Sequence, residues 1–153
     1  MGMAEQTESS ITIDASPAQI MGVIADLEAY PQWSDGITSV TVLSKYEDDN
    51  RPADARFTLA SGPIKDTYEL EYDWTGDQKV TWTLTKADML TAMNGEYELT
   101  DQGNGSTLVH YRLSVDVKIP MIGMLKRKAE KVIVDTALKG LKARVESGAG
   151  STA

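Results

Sequence analysis

The sequence predicts an α+β protein: a curved antiparallel sheet covered by a long C-terminal helix, with two short helices after the first strand. Three observations carry this. From Ile37 to about Lys118, apolar and polar residues alternate in six successive runs separated by short polar turns. From Pro120 to about Glu146 the period becomes helical. One face of the strand runs is apolar and aromatic, the other polar and threonine-rich, so the sheet needs a cover on one side.

Residues 1–8 have no face to bury and are expected to be flexible, as are residues 148–153, leaving a single ligand-binding domain over residues 9–147. Ile11 and Ile13 alternate with Thr12 and Asp14 as a short strand. Ser16 followed by Pro17 is a helix start: the serine caps free amides and proline tolerates the first helical position. Ile20, Val23, Ile24 and Leu27 recur at helical spacing. That helix is expected to end near Tyr30, because Pro31 lacks a donor and clashes with a continuing helix. Trp33 then sits on a brief second turn, and Asp35-Gly36 releases the chain.

The first strand run holds Val40, Val42 and Leu43, and EDDNRP turns the chain. Phe57 and Leu59 share a face of the next, which ends at Ser61-Gly62-Pro63. Ile64, Tyr68, Leu70, Tyr72 and Trp74 then oppose Lys65, Thr67, Glu69, Glu71 and Asp73. Val80, Trp82 and Leu84 oppose three threonines. Asn94-Gly95 is expected at a bulge or bend, since Tyr97 and Leu99 continue the alternation. Val109, Tyr111, Leu113, Val115 and Val117 close the series against His110, Arg112, Ser114 and Asp116. Short turns make neighbours antiparallel. In the final helix Ile122, Leu125, Ala129, Val132, Ile133, Ala137, Leu138, Leu141 and Val145 form the apolar stripe, with charged residues, Glu130 among them, in between. Its length is about 40 Å at the helical rise, enough to cross a curved sheet diagonally.

A curved sheet does not press evenly on a straight helix, so a cavity is expected between them. The inward parity supplies Phe57, Tyr68, Tyr72, Trp74, Trp82, Tyr97 and Tyr111, bulky groups most of which carry a polar tip. An apolar lining with a few polar anchors suits a small-molecule site. Met89 and Met93, and Met121 and Met124 with Leu125 at the start of the long helix, add adaptable lining. Each of these side chains serves equally well as plain core.

Catalytic and metal chemistry finds little support. There is no cysteine, which excludes disulfides and thiolate chemistry, and a single histidine, which excludes a multi-histidine metal site. His110 falls on the polar face with Arg112, and no nucleophile motif surrounds any serine, so no catalytic residue is assigned. Asp66 interrupts the inward parity and is expected in solvent at a strand start, with a polar anchor at the cavity mouth as the alternative. Arg56 and Arg112 point outward as cross-strand partners for Glu69 or Glu71, and Glu96 reads outward too. Dinucleotide, P-loop and calcium-loop motifs are missing, so no cofactor is expected. A net charge of -8 argues against nucleic acid. Lys126, Arg127, Lys128 and Lys131 form a basic run that reads as a solvated face, or as a transient contact with anionic membrane. Neither a signal peptide nor an apolar membrane span is visible, and a cytoplasmic location is the default expectation.

The order of elements, with ITIDASPAQIMGVIADLEAYPQW at its start and VHYRLSVDVKIP before the last helix, resembles the START-like (SRPBCC) superfamily, most of all its polyketide cyclase/dehydrase and lipid-transport branch. Ile13, Ala15, Pro17, Val23, Asp26, Tyr30, Pro31 and Trp33 carry the match. The resemblance implies a helix-grip fold around a hydrophobic tunnel, with Tyr30, Pro31 and Trp33 at its rim. It also implies binding or transport of a hydrophobic small molecule (a lipid, quinone, isoprenoid or polyketide-like aromatic). The alternatives are a cyclase/dehydratase acting by substrate shaping with tyrosine hydroxyls, and a scaffold with a closed core. Monomer and homodimer both remain open.

Overall fold

A computed structural model describes residues 7–34, 36–61, 64–118 and 123–147. The chain runs β1 (Thr7–Ile13), α1 (Pro17–Ala25), a 3-10 helix (Leu27–Gln32), β2 (Ile37–Lys45), β3 (Pro52–Ser61), β4 (Ile64–Thr75), β5 (Lys79–Ala87), β6 (Leu90–Asp101), β7 (Thr107–Val117) and α2 (Gly123–Glu146). One antiparallel sheet holds all seven strands in the order β1-β7-β6-β5-β4-β3-β2. Successive hairpins build β2 to β7. β1 joins from the far end by pairing with β7, Thr7 opposite Leu113 and Ile13 opposite Thr107. The sheet wraps α2, as the alternation and the helical period together predict.

β1 starts at Thr7, so two residues expected in the flexible leader are strand. Their side chains have partners: the Thr7 hydroxyl donates to Glu130 at 2.8 Å, and Glu8 meets His110 Nε2 at 2.8 Å. Thr7 faces α2 and Glu8 faces outward, but both are polar and carry no hydrophobic signal, which is why the strand's start is invisible in the alternation.

Ser16 caps α1 as expected. Its hydroxyl accepts from the Gln19 amide at 3.2 Å, and the Gln19 side chain accepts from the Ser16 amide at 3.1 Å, a reciprocal capping box. The helix ends at Ala25, earlier than Tyr30. Pro31 lies inside the following 3-10 helix, whose amide of Ala29 bonds the carbonyl of Asp26 at 3.2 Å. Proline offers no N–H for the α-helical bond to Leu27 and disfavours the α conformation at Tyr30, so a regular α-helix does not run on through this segment. Tyr30 is fastened by its hydroxyl to the Ile24 carbonyl at 2.5 Å.

β6 runs unbroken through Asn94-Gly95, and its register shift lies between Leu90 and Ala92 instead. Gly95 pairs with Trp82 of β5 and with Leu113 of β7. A Cβ there would sit 2.2 Å from the Trp82 ring, so the glycine is needed for the indole to lie across the strand. Gly140 serves the same end on α2: a Cβ would meet the Trp33 carbonyl oxygen at 2.4 Å.

The buried side of α2 keeps Ala137, Leu138, Leu141 and Val145 of the expected stripe, with Ala129 and Ile133 packed partly against the core, but adds Glu130 and Val134, while Val132 is 54% exposed. Glu130, expected in solvent, is buried and accepts the Val115 amide of β7 at 2.7 Å as well as the Thr7 hydroxyl. One carboxylate thus ties α2 to two strands through charge-assisted bonds.

Candidate functional site

Between the sheet and α2 lies a cavity of about 230 Å³. Its sheet wall is made by Phe57 and Leu59 of β3, Tyr68, Leu70 and Tyr72 of β4, Trp82 of β5, Met93 and Tyr97 of β6, and Tyr111 and Leu113 of β7. α2 contributes Val132, Ile133, Thr136 and Ala137. Ser34, Gly36, Ile37 and Ala60, all at least partly exposed, stand with Val132 on the solvent side and form the mouth.

The sheet wall is a continuous aromatic surface. Phe57 stacks on Tyr68 with ring centres 5.5 Å apart and planes 8° from parallel. Trp82 meets Tyr72, Tyr97 and Tyr111 at 5.9, 5.5 and 5.7 Å. Tyr97 and Tyr111 lie 4.4 Å apart. These are the offset and tilted arrangements that ring quadrupoles favour. Strand pairing sets them: Tyr72 is opposite Trp82, and Tyr97 is opposite Tyr111.

Of the candidates read from sequence, Phe57, Tyr68, Tyr72, Trp82, Met93, Tyr97 and Tyr111 are brought together on the cavity. Trp33 is not among its lining residues. It packs edge-on against Tyr30 at 4.8 Å, one layer behind, with its indole N–H buried and lacking a hydrogen-bond partner. Tyr30 reaches the cavity, while Pro31 is exposed. Met89 stays at the β5–β6 connection, its amide on Asp66. Met121 lies outside the described residues, as do the side chains of Met124 and Leu125. Trp74 faces the sheet's end, stacked on Tyr72 at 5.6 Å and donating to the Pro52 carbonyl at 2.7 Å.

Sequence reasoning missed Leu59, Leu70 and Leu113, although all three share the inward parity of the chosen aromatics. Thr136 and Ala137 depend on the phase of α2, and Ser34, Gly36 and Ile37 on a chain path after Pro31 that no periodicity marks.

Asp66 neither faces solvent nor anchors the mouth. It is buried and accepts the amides of Asp88, Met89 and Leu90 at 3.2, 2.9 and 2.8 Å, capping the β5–β6 connection. Arg56 pairs outward with Glu69 at 3.1 Å, as expected. Arg112 is outward too, but its partners are Glu96, Glu98 and Glu8 rather than Glu69 or Glu71. His110 shares that face.

The polar atoms of the cavity are mainly phenols. Among the described residues, the hydroxyls of Tyr68, Tyr72, Tyr97 and Tyr111 donate to no protein group and are not sealed from the open space. Burial pushes all four above the ordinary tyrosine range, and for Tyr68, Tyr72 and Tyr97 the neighbouring tyrosines add to the rise. They are neutral donors and acceptors, not bases. No described lining residue carries a charge, and no group of three metal-ligating side chains occurs among the described residues.

The fold has close relatives. A START superfamily protein from Mycobacterium smegmatis superposes with a TM-score of 0.85 at 25% identity, covering 93% of this chain and 97% of that one. A Thermus thermophilus protein gives 0.79 at 22%, covering 97% and 100%. The aromatase/cyclase Zhui of a Streptomyces species gives 0.78 at 13%, covering 96% of each; at that identity the likeness concerns the fold alone. No curated protein matches the sequence. The family model for polyketide cyclase / dehydrase and lipid transport matches residues 4–146. With the helix-grip architecture in place around its aromatic cavity, the chain belongs to that family of the START-like superfamily.

Proposed function

We propose that the protein binds a hydrophobic small molecule between the sheet and α2 and serves as its carrier or receptor. The observation that supports this is the cavity of about 230 Å³ walled by aromatic and aliphatic side chains. An apolar cavity of roughly 150 Å³ is enough to take up benzene. The space here favours a compact ring system over a full-length lipid chain, and so a quinone or polyketide-like aromatic over the longer lipids and isoprenoids. Burying such a molecule returns about 25 cal/mol for each Å² of apolar surface removed from water.

A second function, a cyclase or dehydratase that shapes a reactive chain, draws on the four unpaired phenols. The carrier is preferred because proton abstraction needs a group that accepts a proton near neutral pH, and no described lining residue is one.

Native mass spectrometry after exposure to a lipid and aromatic extract tests binding, with Ala137→Phe as the control. Ala137 is buried on α2 and lines the cavity, so the added ring occupies the ligand's space. The wild type is expected to retain a small molecule that the variant, equally folded by circular dichroism, does not. Equal retention by both would place binding elsewhere. Turnover of a poly-β-ketone by the wild type and not by the variant would favour the enzyme.

A further inference from the structure

Resting on that ligand-binding reading, we infer that the cavity selects an uncharged, oxygen-bearing aromatic of about two fused rings, its oxygen read by phenols among Tyr68, Tyr72, Tyr97 and Tyr111, and that it rejects carboxylates. Three features of the site lead there.

The first is what the phenols lack. Tyr30 and Tyr46 satisfy their hydroxyls within the protein, on the carbonyls of Ile24 at 2.5 Å and Tyr72 at 2.6 Å. The four cavity phenols have no such partner, although each belongs to a buried residue. A site meant only for hydrocarbon would be served by phenylalanine at these positions. A guest without oxygen would strip solvent from four hydroxyls and return nothing, at a cost of about 1–3 kcal/mol for each one left unpaired. A carbonyl or neutral hydroxyl on the guest restores at least one bond.

The second is charge. Among the described residues, the cations of the sheet lie elsewhere: Arg56 and Arg112 bond outward, and Arg51 pairs with Asp77 at the sheet's end. A carboxylate drawn between the rings would lose its hydration without gaining a counter-ion, which is unfavourable by several kcal/mol. Phenols alone compensate poorly for that loss.

The third is shape. Trp82, Tyr97 and Tyr111 form one continuous aromatic wall, with centres 4.4–5.7 Å apart. Their planes meet at 46–74°, so a flat guest finds ring faces and ring edges to pack against, and a space of about 230 Å³ suits about two rings.

Calorimetric titration of the full chain at pH 7.5 with three probes of matched size separates these demands: tetralin, its ketone 1-tetralone, and 1-naphthoate. The expected order is tetralone about fivefold or more tighter than tetralin, with naphthoate at least tenfold weaker than tetralone. At least one of Tyr68→Phe, Tyr72→Phe, Tyr97→Phe and Tyr111→Phe should weaken tetralone severalfold and should leave tetralin no weaker, or tighten it, because an unpaired hydroxyl is no longer stripped of solvent. Removing a hydroxyl that holds no protein group should leave folding intact, which thermal melting of each variant verifies. Tetralin binding as tightly as tetralone, naphthoate binding as well as the ketone, or tetralone indifferent to all four substitutions would overturn the inference while leaving hydrophobic binding in place. If none of the probes binds, and the extract experiment also finds no ligand lost on Ala137→Phe, the binding function falls and this inference with it.

Discussion

Gly95→Ala is the smallest change that tests how the aromatic wall is held. The new methyl would be built 2.2 Å from Cε2 and Cζ2 of Trp82 and 2.4 Å from its Nε1. Carbon contacts are comfortable at about 3.5–4.0 Å, so the overlap is more than an ångström. The indole cannot yield sideways, because Tyr72, Tyr97 and Tyr111 stand within 5.9 Å of it. Either β5 and β6 part locally or the ring swings into the cavity. Overpacking of this kind costs about 1–3 kcal/mol, and the reduced freedom of the unfolded chain returns about 0.4–1. The net expectation is about 1–2 kcal/mol of destabilisation, a fall in Tm of roughly 2–8 °C for a chain of this length. Urea unfolding followed by circular dichroism measures it. Because the cause is one ring, Trp82→Leu should relieve it, and a double-mutant cycle should give a favourable coupling of at least about 1 kcal/mol. Gly95→Ala within 0.5 kcal/mol of wild type (roughly the scatter of neutral surface changes), or an absence of coupling, would refute the reasoning.

Asp66→Ala leaves three amides without their acceptor, one of them on buried Leu90. A loss of about 2–4 kcal/mol is expected in urea unfolding, with Asp66→Asn milder because one carbonyl oxygen survives. The buried tyrosines predict alkaline behaviour. Their folded proton affinity exceeds that of the unfolded chain, whose phenols titrate near 10. Above that pH the unfolded state binds fewer protons than the folded one, so stability is full below about pH 10 and declines as pH rises further. Absorbance of tyrosinate near 295 nm should therefore appear in step with unfolding; ionisation of most tyrosines in the intact fold at pH 10 would contradict this. Glu130→Ala removes the acceptor of the Val115 amide and the Thr7 hydroxyl and should speed hydrogen exchange at Val115.

Much of this architecture is legible in the sequence, for a clear reason. Alternation from Ile64 to Trp74 and from Val109 to Val117 reports burial on one face, and burial is what strands of a covered sheet obey. The aromatic positions of the cavity follow from the same parity. What the sequence conceals is polar and geometric. Asp66 and Glu130 look like surface carboxylates because hydrophobicity cannot distinguish a solvated acid from one that gathers backbone amides. The phase of α2 is ambiguous because Val132 and Val134 are equally apolar, and contact with the curved sheet buries only Val134. Trp33, which the family resemblance places at the rim, is not among the cavity's lining residues: its carbonyl packs closely on Gly140 and its ring packs edge-on against Tyr30.

The central claim is that the space between sheet and α2 receives a guest. Isotope-filtered NOE spectra of the labelled protein with unlabelled 1-tetralone examine it directly. Cross-peaks from tetralone to the rings of Tyr97 and Tyr111 and to the Ala137 methyl are expected together. Saturable binding whose cross-peaks fall instead on the outer face, around Arg112 and His110, would contradict it.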